Sequence, residues 1–314
     1  MAALALAAFL VFAGNDLATD YLRSHENWGR GLASGIQVQS LQLDMIASEA
    51  LSGDEGALAA FKQRRDTIAT DINSLLEGRA PYSGFRQSPG IADPLRKLAD
   101  EWTPIGLDAE LILRNRDLLR AVARDADAFA HVAMPMQSRM DEVARAMSDA
   151  GSAPAQLLLA MREVILIDRM TSAVAEMRIG GPGATLAAAQ LARMSAMHES
   201  VLKGFLEGDA SMGIARLDKP AEKAALSSVV KLDAQARQSL EAMEKHGAQL
   251  AEVQSARKEL ADGSAKVLRD AGDVYAAFDA LSMRRFFPST WWALMSGAMT
   301  MFGIVSLALM PKRR

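Results

Sequence analysis

Apolar residues recur along this chain at alternating spacings of four and three, the mark of helices that bury one face. The longest run goes Leu98, Trp102, Ile105, Ala109, Ile112, Leu119, Val122, Ala126, Phe129, Ala133, Met136, Met140, Val143 and Met147, interrupted at Arg116. That spacing is the seam of left-handed bundles and coiled coils. A second run shows Val229, Ala236, Leu240, Met243, Gly247 and Leu250, then Ala271, Val274 and Phe278. Its register is lost between about Arg257 and Ser264. Gly/Pro-containing breaks fall at Ser52–Asp54, Gly78–Gly90, Gly151–Pro154, Gly180–Gly183 and Gly208–Pro220. They predict six helices, roughly 17–51, 55–77, 91–149, 154–178, 184–207 and 220–285.

The pattern also repeats. Leu75-Leu76-Glu77-Gly78 recurs as Phe205-Leu206-Glu207-Gly208. Each copy closes a short helix and leads through a Gly/Pro loop into a long one. Leu98 then matches Leu226, and Pro135 falls opposite Gly263. Proline and glycine both weaken a helix, so a soft point is expected at the same place in each half. The predicted fold is all-α: a six-helix bimodular arrangement of two stacked four-helix bundles, from a duplicated three-helix unit, flanked by transmembrane helices. Residues 17–150 form the first unit and 151–287 the second. Residues 36–150 and 154–284 are expected to superpose with Gly78 over Gly208. The first two helices, the start of the third and the end of the sixth are assigned to one bundle, the remainder to the other.

The flanks read as membrane. Trp291–Met310 is an apolar run broken only by small polar residues. At about 1.5 Å per residue it reaches roughly 30 Å, the thickness of a hydrocarbon core. Trp291 and Trp292 mark one interface; Lys312, Arg313 and Arg314 mark the other. The apolar stretch in residues 1–16 is too short to span and has no basic leader, so it is expected to be part of a first membrane helix. A cleaved signal sequence is the alternative. Residues 288–314 then hold the second span and a basic cytoplasmic tail, and the large middle region lies outside the cytoplasm.

Composition narrows the chemistry. Half of the chain is apolar, mostly Ala, Leu and Met, which favour helix. Val and Ile are too sparse for a large sheet. A net charge of −3 with no long basic stretch excludes a nucleic-acid grip. The absence of cysteine excludes disulfides, thiolate catalysis and Cys-ligated zinc. His25, His131, His198 and His246 are too far apart in sequence to pair at helical spacing, and read as isolated surface or core residues. Met134, Met136, Met140, Met194 and Met197 read as core filler.

No phosphate loop, nucleophile motif or metal-ligand spacing is present, so neither catalysis nor a cofactor or metal is expected. A few polar residues interrupt apolar stretches. Arg162 and Asp168 flank Val164–Ile167, and Arg116 with Asn115 interrupts the long seam. They are the candidates for an internal ligand pocket; an ion pair or a snorkelling side chain is the alternative.

Three stretches carry a family resemblance. Ser40–Asp54 reads SLQLDMIASEALSGD, Gln156–Asp168 reads QLLLAMREVILID, and Val201–Arg216 reads VLKGFLEGDASMGIAR. With the helix to Gly78 they make the chain resemble the extracytoplasmic sensor region of the PilJ family, the methyl-accepting chemoreceptor-like proteins of type IV pilus systems. The resemblance implies a periplasmic sensing domain at the inner membrane. It would feed a chemosensory kinase pathway controlling pili and twitching motility. It also implies a parallel homodimer, with pilin or another pilus protein as a partner. Kinase and coupling protein would be reached only through a cytoplasmic signalling hairpin, which does not occur before Arg314. The design is similar to helical sensors of nitrate-responsive kinases, which bind their anion through an arginine in the first helix. Here Ser40-Leu41-Gln42 stands at that place. Ser40 and Gln42 are therefore candidate ligand contacts, and nitrate is not the expected ligand. Two other readings remain: a small-molecule sensor with a pocket between helices, and a membrane-tethered structural protein.

Overall fold

The computed structural model describes the backbone of residues 2–179 and 183–308, and the side chains of residues 20–179 and 183–282. The chain is all-α. Its helices are α1 (Ala2–Leu51), α2 (Glu55–Glu77), α3 (Ala92–Arg114), α4 (Arg116–Asp149), α5 (Pro154–Ile179), α6 (Ala184–Glu207), α7 (Pro220–Lys245) and α8 (Gly247–Ala308). The two-residue strands β1 (Gly78–Arg79) and β2 (Tyr82–Ser83) pair antiparallel after α2.

Two of the six expected helices are each interrupted by a single residue, and neither interruption lies at Pro135 or Gly263. The third expected helix breaks at Asn115. Its backbone N–H is shared between the Leu111 and Ile112 carbonyls, and its Nδ2 donates to the Leu111 carbonyl at 2.9 Å. A short amide that satisfies the backbone itself competes with helical continuation. The sixth breaks at His246, whose N–H bonds back three residues to Met243 at 3.1 Å, the tighter 3₁₀ pattern. Gly247 follows and opens α8. Pro135 and Gly263 lie inside unbroken α4 and α8.

The seams behave as their spacing requires. All fourteen residues of the longest run, from Leu98 to Met147, are buried. In the second run Gly247 is only half-buried, but the remainder is core. Its register is not lost: Val253, Ala256, Leu260 and Val267 carry it through, with Ser264 and Asp270 buried beside them. Polar residues on the core face are what hid it. Of the methionines, Met136 and Met140 are core, whereas Met134 and Met197 are exposed and Met194 is half-buried.

The described chain divides into two compact units. One holds Gln42–Arg65 and Ile105–Asp262. Within it α4 packs on both α5 and α7, α5 packs on α6, and α6 touches α7, closing a ring of four helices. The other takes the described residues up to Leu41, with Asp66–Pro104 and those from Gly263 onward. Residues 42–65, the turn from α1 to α2 with its flanks, therefore go with α4–α7, whereas the sequence reading assigned both helices entirely to the other group. The core of this second unit includes Phe85 edge-on to Phe278 at 4.7 Å between ring centroids. Gly29 makes room for that pair: a Cβ there would lie 2.4 Å from Phe278 Cζ.

The two helix-ending loops share a local design. Gly78 and Gly208 both have positive φ, 93° and 87°. Each is followed by a short antiparallel contact, β1 with β2 and Asp209 with Ile214. Each chain then folds back on its helix. The Phe85 N–H donates to the Leu75 carbonyl at 2.7 Å, and the Leu217 N–H to the Phe205 carbonyl at 2.9 Å. The hydrogen-bond acceptors are the first residues of the two repeated motifs.

Among the described residues, no helix is long and apolar enough to cross a membrane. Trp291 and Trp292 fall outside the described side chains, and Lys312, Arg313 and Arg314 outside the described residues altogether. The expected spans in 1–16 and 288–314 rest on that same part of the sequence. Residues 180–182 of the expected Gly180–Gly183 turn are likewise outside.

Candidate functional site

The residues singled out from sequence do not converge. Arg162, Asp168 and Arg116 are exposed, so these side chains build no internal pocket. Arg116 lies 3.7 Å from Asp117. Asn115 is half-buried and occupied with its own helix. Ser40 is buried, and its hydroxyl donates to the Ile36 carbonyl at 2.8 Å. Gln42 is half-buried, with its Oε1 sealed from solvent and without a hydrogen-bond partner.

The polar group that does converge was not apparent in the sequence. His198 on α6 is 1% exposed and Glu163 on α5 is 3% exposed. His198 Nδ1 lies 2.6 Å from Glu163 Oε2. On its other side, Nε2 is 3.5 Å from Oδ1 of Asp233 on α7, too far for a hydrogen bond and close enough for an ion pair. Arg237 Nε donates to Asp233 Oδ2 at 2.9 Å, and its guanidinium also pairs with Glu199. Hydrogen bonds to Glu199 and Asp233 raise the Arg237 pKa against the opposing effect of desolvation. Five charged or chargeable groups thus tie α5, α6 and α7 together. Helical spacing hints only at the Asp233–Arg237 pair within α7, because the partners on different helices lie 35 residues or more apart. A buried network of this kind rigidifies the packing of the helices that it joins.

Shallow cavities lie at two places among the described residues. One of about 460 Å³ is lined by Glu142, Arg145, Asp149, Lys219 and neighbouring backbone. The other, about 540 Å³, lies among Lys97, Glu101, Lys266, Arg269, Asp270 and Asp273. There the buried Asp270 accepts a hydrogen bond from Lys97 Nζ at 2.7 Å, which raises the lysine pKa. The second carboxylate oxygen of Asp270 has no hydrogen-bond partner among the described residues. Both cavities are lined by charges of both signs, and in the second Lys97 pairs with Asp270 and Lys266 with Glu101, which favours neither a strong anion site nor a cation site. Among the described residues no cluster of histidine and acidic side chains has the arrangement to hold a metal ion.

The apolar surface is more distinctive. On α1, Val38, Leu41 and Met45 are each more than half exposed. Gly31 is exposed and Ser34 half-buried on the same face, so an uncharged seam runs to Met45 at spacings of three, four, three and four. On α5, Leu158, Met161 and Ile165 are at least half exposed, again at three and four.

No family model matches the chain. Over 291 residues it is 25% identical to AlkN of Alcanivorax borkumensis, named as a methyl-accepting chemotaxis protein; the match covers 92% of the chain and 40% of that protein. Over 296 residues it is 22% identical to the protein PilJ of Pseudomonas aeruginosa, covering 93% of the chain and 43% of the relative. The chain therefore spans about two fifths of the length of these relatives.

Proposed function

We propose that this chain, whose two relatives support a PilJ-like family, is the extracytoplasmic sensor module of a chemotaxis-type transducer that controls type IV pili and twitching motility. The observation that carries the reading is similarity over more than nine-tenths of the chain to proteins named for methyl-accepting chemotaxis and as PilJ. The all-helical fold is consistent with it. The role is sensing rather than catalysis. Signals would pass by displacement of α8, the last helix, toward a cytoplasmic signalling part like that of the longer relatives. Small helix shifts are an established means of switching.

In this reading residues 17–285 lie in the periplasm, held at the inner membrane by the apolar runs within 1–16 and 288–314. Residues 17–150 and 151–287 are duplicated three-helix units assembled as two four-helix bundles; the parallel loops at Gly78 and Gly208 support this. The module is a parallel homodimer. The uncharged seam of α1 supports that assignment, because heptad-like spacing fits a second helix at a small crossing angle. Pilin or another pilus protein is the proposed stimulus.

Topology and role separate experimentally. A reporter active only in the periplasm, fused near residue 150, should be active; a cytoplasmic reporter active there instead sinks the topology. Deletion of the gene should impair twitching, and normal twitching would count against the pilus role while leaving the fold untouched. A small-molecule sensor is the competing reading, supported by the two shallow cavities. A saturable thermal shift with one compound of a metabolite panel would favour it.

A further inference from the structure

A helix that is apolar on every side is normally covered on every side. α5 carries large apolar residues on its uncovered side as well as its covered one. Its inner face, Ala160, Leu166, Ile167, Met170, Val174 and Met177, is buried. Its outer face carries Leu158, Met161 and Ile165, each at least half exposed. The outer positions continue at heptad spacing through Asp168, Ser172, Ala175 and Ile179, all exposed. Along one edge stand Arg162 and Arg169, exposed and without an ion pair among the described residues. Arg178, by contrast, is held by Asp127 of α4 at 2.6 Å. We infer that this outer face of α5 is a docking site for an amphipathic helix of a different protein, apolar at its anchoring positions and acidic along the edge that meets Arg162 and Arg169.

The charges decide against a second copy. Paired in parallel, the two-fold axis would set Asp168 against its own image, and the edge opposite each arginine would offer only Leu157 and Val164. Paired antiparallel, either Arg162 would face Arg169, or Arg162 would face Glu176 while Arg169 meets its own image. Both arrangements place like charges together or leave the arginines uncompensated. A foreign helix with carboxylates on that edge relieves both. Apolar anchors at i, i+3 and i+7 supply the contact, and the charged edge supplies partner choice. The inference does not depend on the pilus reading; it rests on α5 alone.

The test uses the purified full chain and two labelled helical peptides of about three heptads, with leucine at the seam positions. One peptide carries glutamate on its flanks, the other lysine. Fluorescence anisotropy should show saturable binding of the acidic peptide and at least about tenfold weaker binding of the basic one. The double variant Arg162→Glu/Arg169→Glu should reverse the preference. Ile165→Glu should abolish binding of both, with helix content by circular dichroism unchanged, since all three positions face solvent. Equal affinity for the two peptides overturns the proposal, as does binding of neither or indifference to Ile165→Glu. Self-association in sedimentation that is lost in Ile165→Glu would assign the face to a second copy. Charge-reversal-sensitive binding to anionic vesicles without peptide binding would assign it to a membrane. Either result rejects the helix partner.

Discussion

Nδ1 of His198 lies 2.6 Å from Oε2 of Glu163, and both side chains are almost wholly removed from solvent. The pair joins α5 to α6, and through Nε2 the same ring faces Asp233 of α7. Removing the imidazole would leave two carboxylates facing a cavity with only Arg237 to offset them. Leaving a buried polar group without its hydrogen-bond partner costs about 1–3 kcal/mol. His198→Ala should therefore lower unfolding free energy by at least about that amount in urea titration. Glu163→Gln keeps a hydrogen-bonding group beside the ring and should cost less. Equal losses from the two variants would mean that volume, not charge, governs the site.

Gly78 and Gly208 end the two repeated motifs with similar φ but different surroundings. A Cβ on Gly78 would lie 2.5 Å from the Gly84 nitrogen, whereas on Gly208 the nearest atom is 3.7 Å away. Gly208, at φ 87° and ψ 143°, lies outside the left-handed helical region, where a side chain costs about 1–3 kcal/mol. Gly208→Ala should show roughly that loss. Gly78→Ala should lose clearly more, because backbone rather than a flexible side chain stands in the way. Thermal melts of the two variants measure the difference; matched losses would show that the Gly84 segment yields freely.

Much of this architecture was legible in the sequence, and the reasons for the rest are physical. The stripe from Leu98 to Met147 could be read because each buried position is apolar and the spacing is regular. The breaks at Asn115 and His246 could not, since each depends on one residue's choice between backbone partners. The core face of α8 was obscured where Ser264 and Asp270 enter it. His198 and Glu163 read as ordinary polar positions, because their partnership exists only once α5 and α6 are side by side. Periodicity likewise cannot say which side of α5 is covered when both sides are apolar. Arg162 and Asp168 were chosen for interrupting that apolar stretch; the structure sets them on its outer edge instead.

The α1 seam gives the proposed dimer a sharp test. Leu41 sits mid-seam and is more than half exposed, so a charge there does not disturb the fold of a single chain. In a parallel pair, Leu41→Glu would bring two carboxylates together across the axis. The variant should sediment as a monomer at concentrations where the parent chain is dimeric, with unchanged helix content. A dimer that persists in Leu41→Glu places the interface elsewhere and removes α1 from the proposal.

Asp71 offers a pH-dependent test of packing in α2. Burial pushes its carboxyl above the ordinary value of 3.8, and the Arg79 guanidinium offsets this only in part. The folded chain thus holds the Asp71 proton more tightly than the unfolded chain does. Its contribution to stability is favourable in acid, below the unfolded value, and is lost as pH rises through the folded value. At neutral pH the ionised carboxylate is a burden the fold carries. Asp71→Asn should therefore raise the melting temperature at neutral pH. The advantage should shrink as pH falls through the carboxylate range, where the parent side chain takes up its own proton. Arg79→Ala should move the parent in the opposite direction at neutral pH, by removing the charge that eases the burden. Melting curves across that range decide the matter. An Asp71→Asn gain that stays constant into acid would show that the amide helps through its hydrogen bonds, and that desolvation of the carboxylate is not the cause.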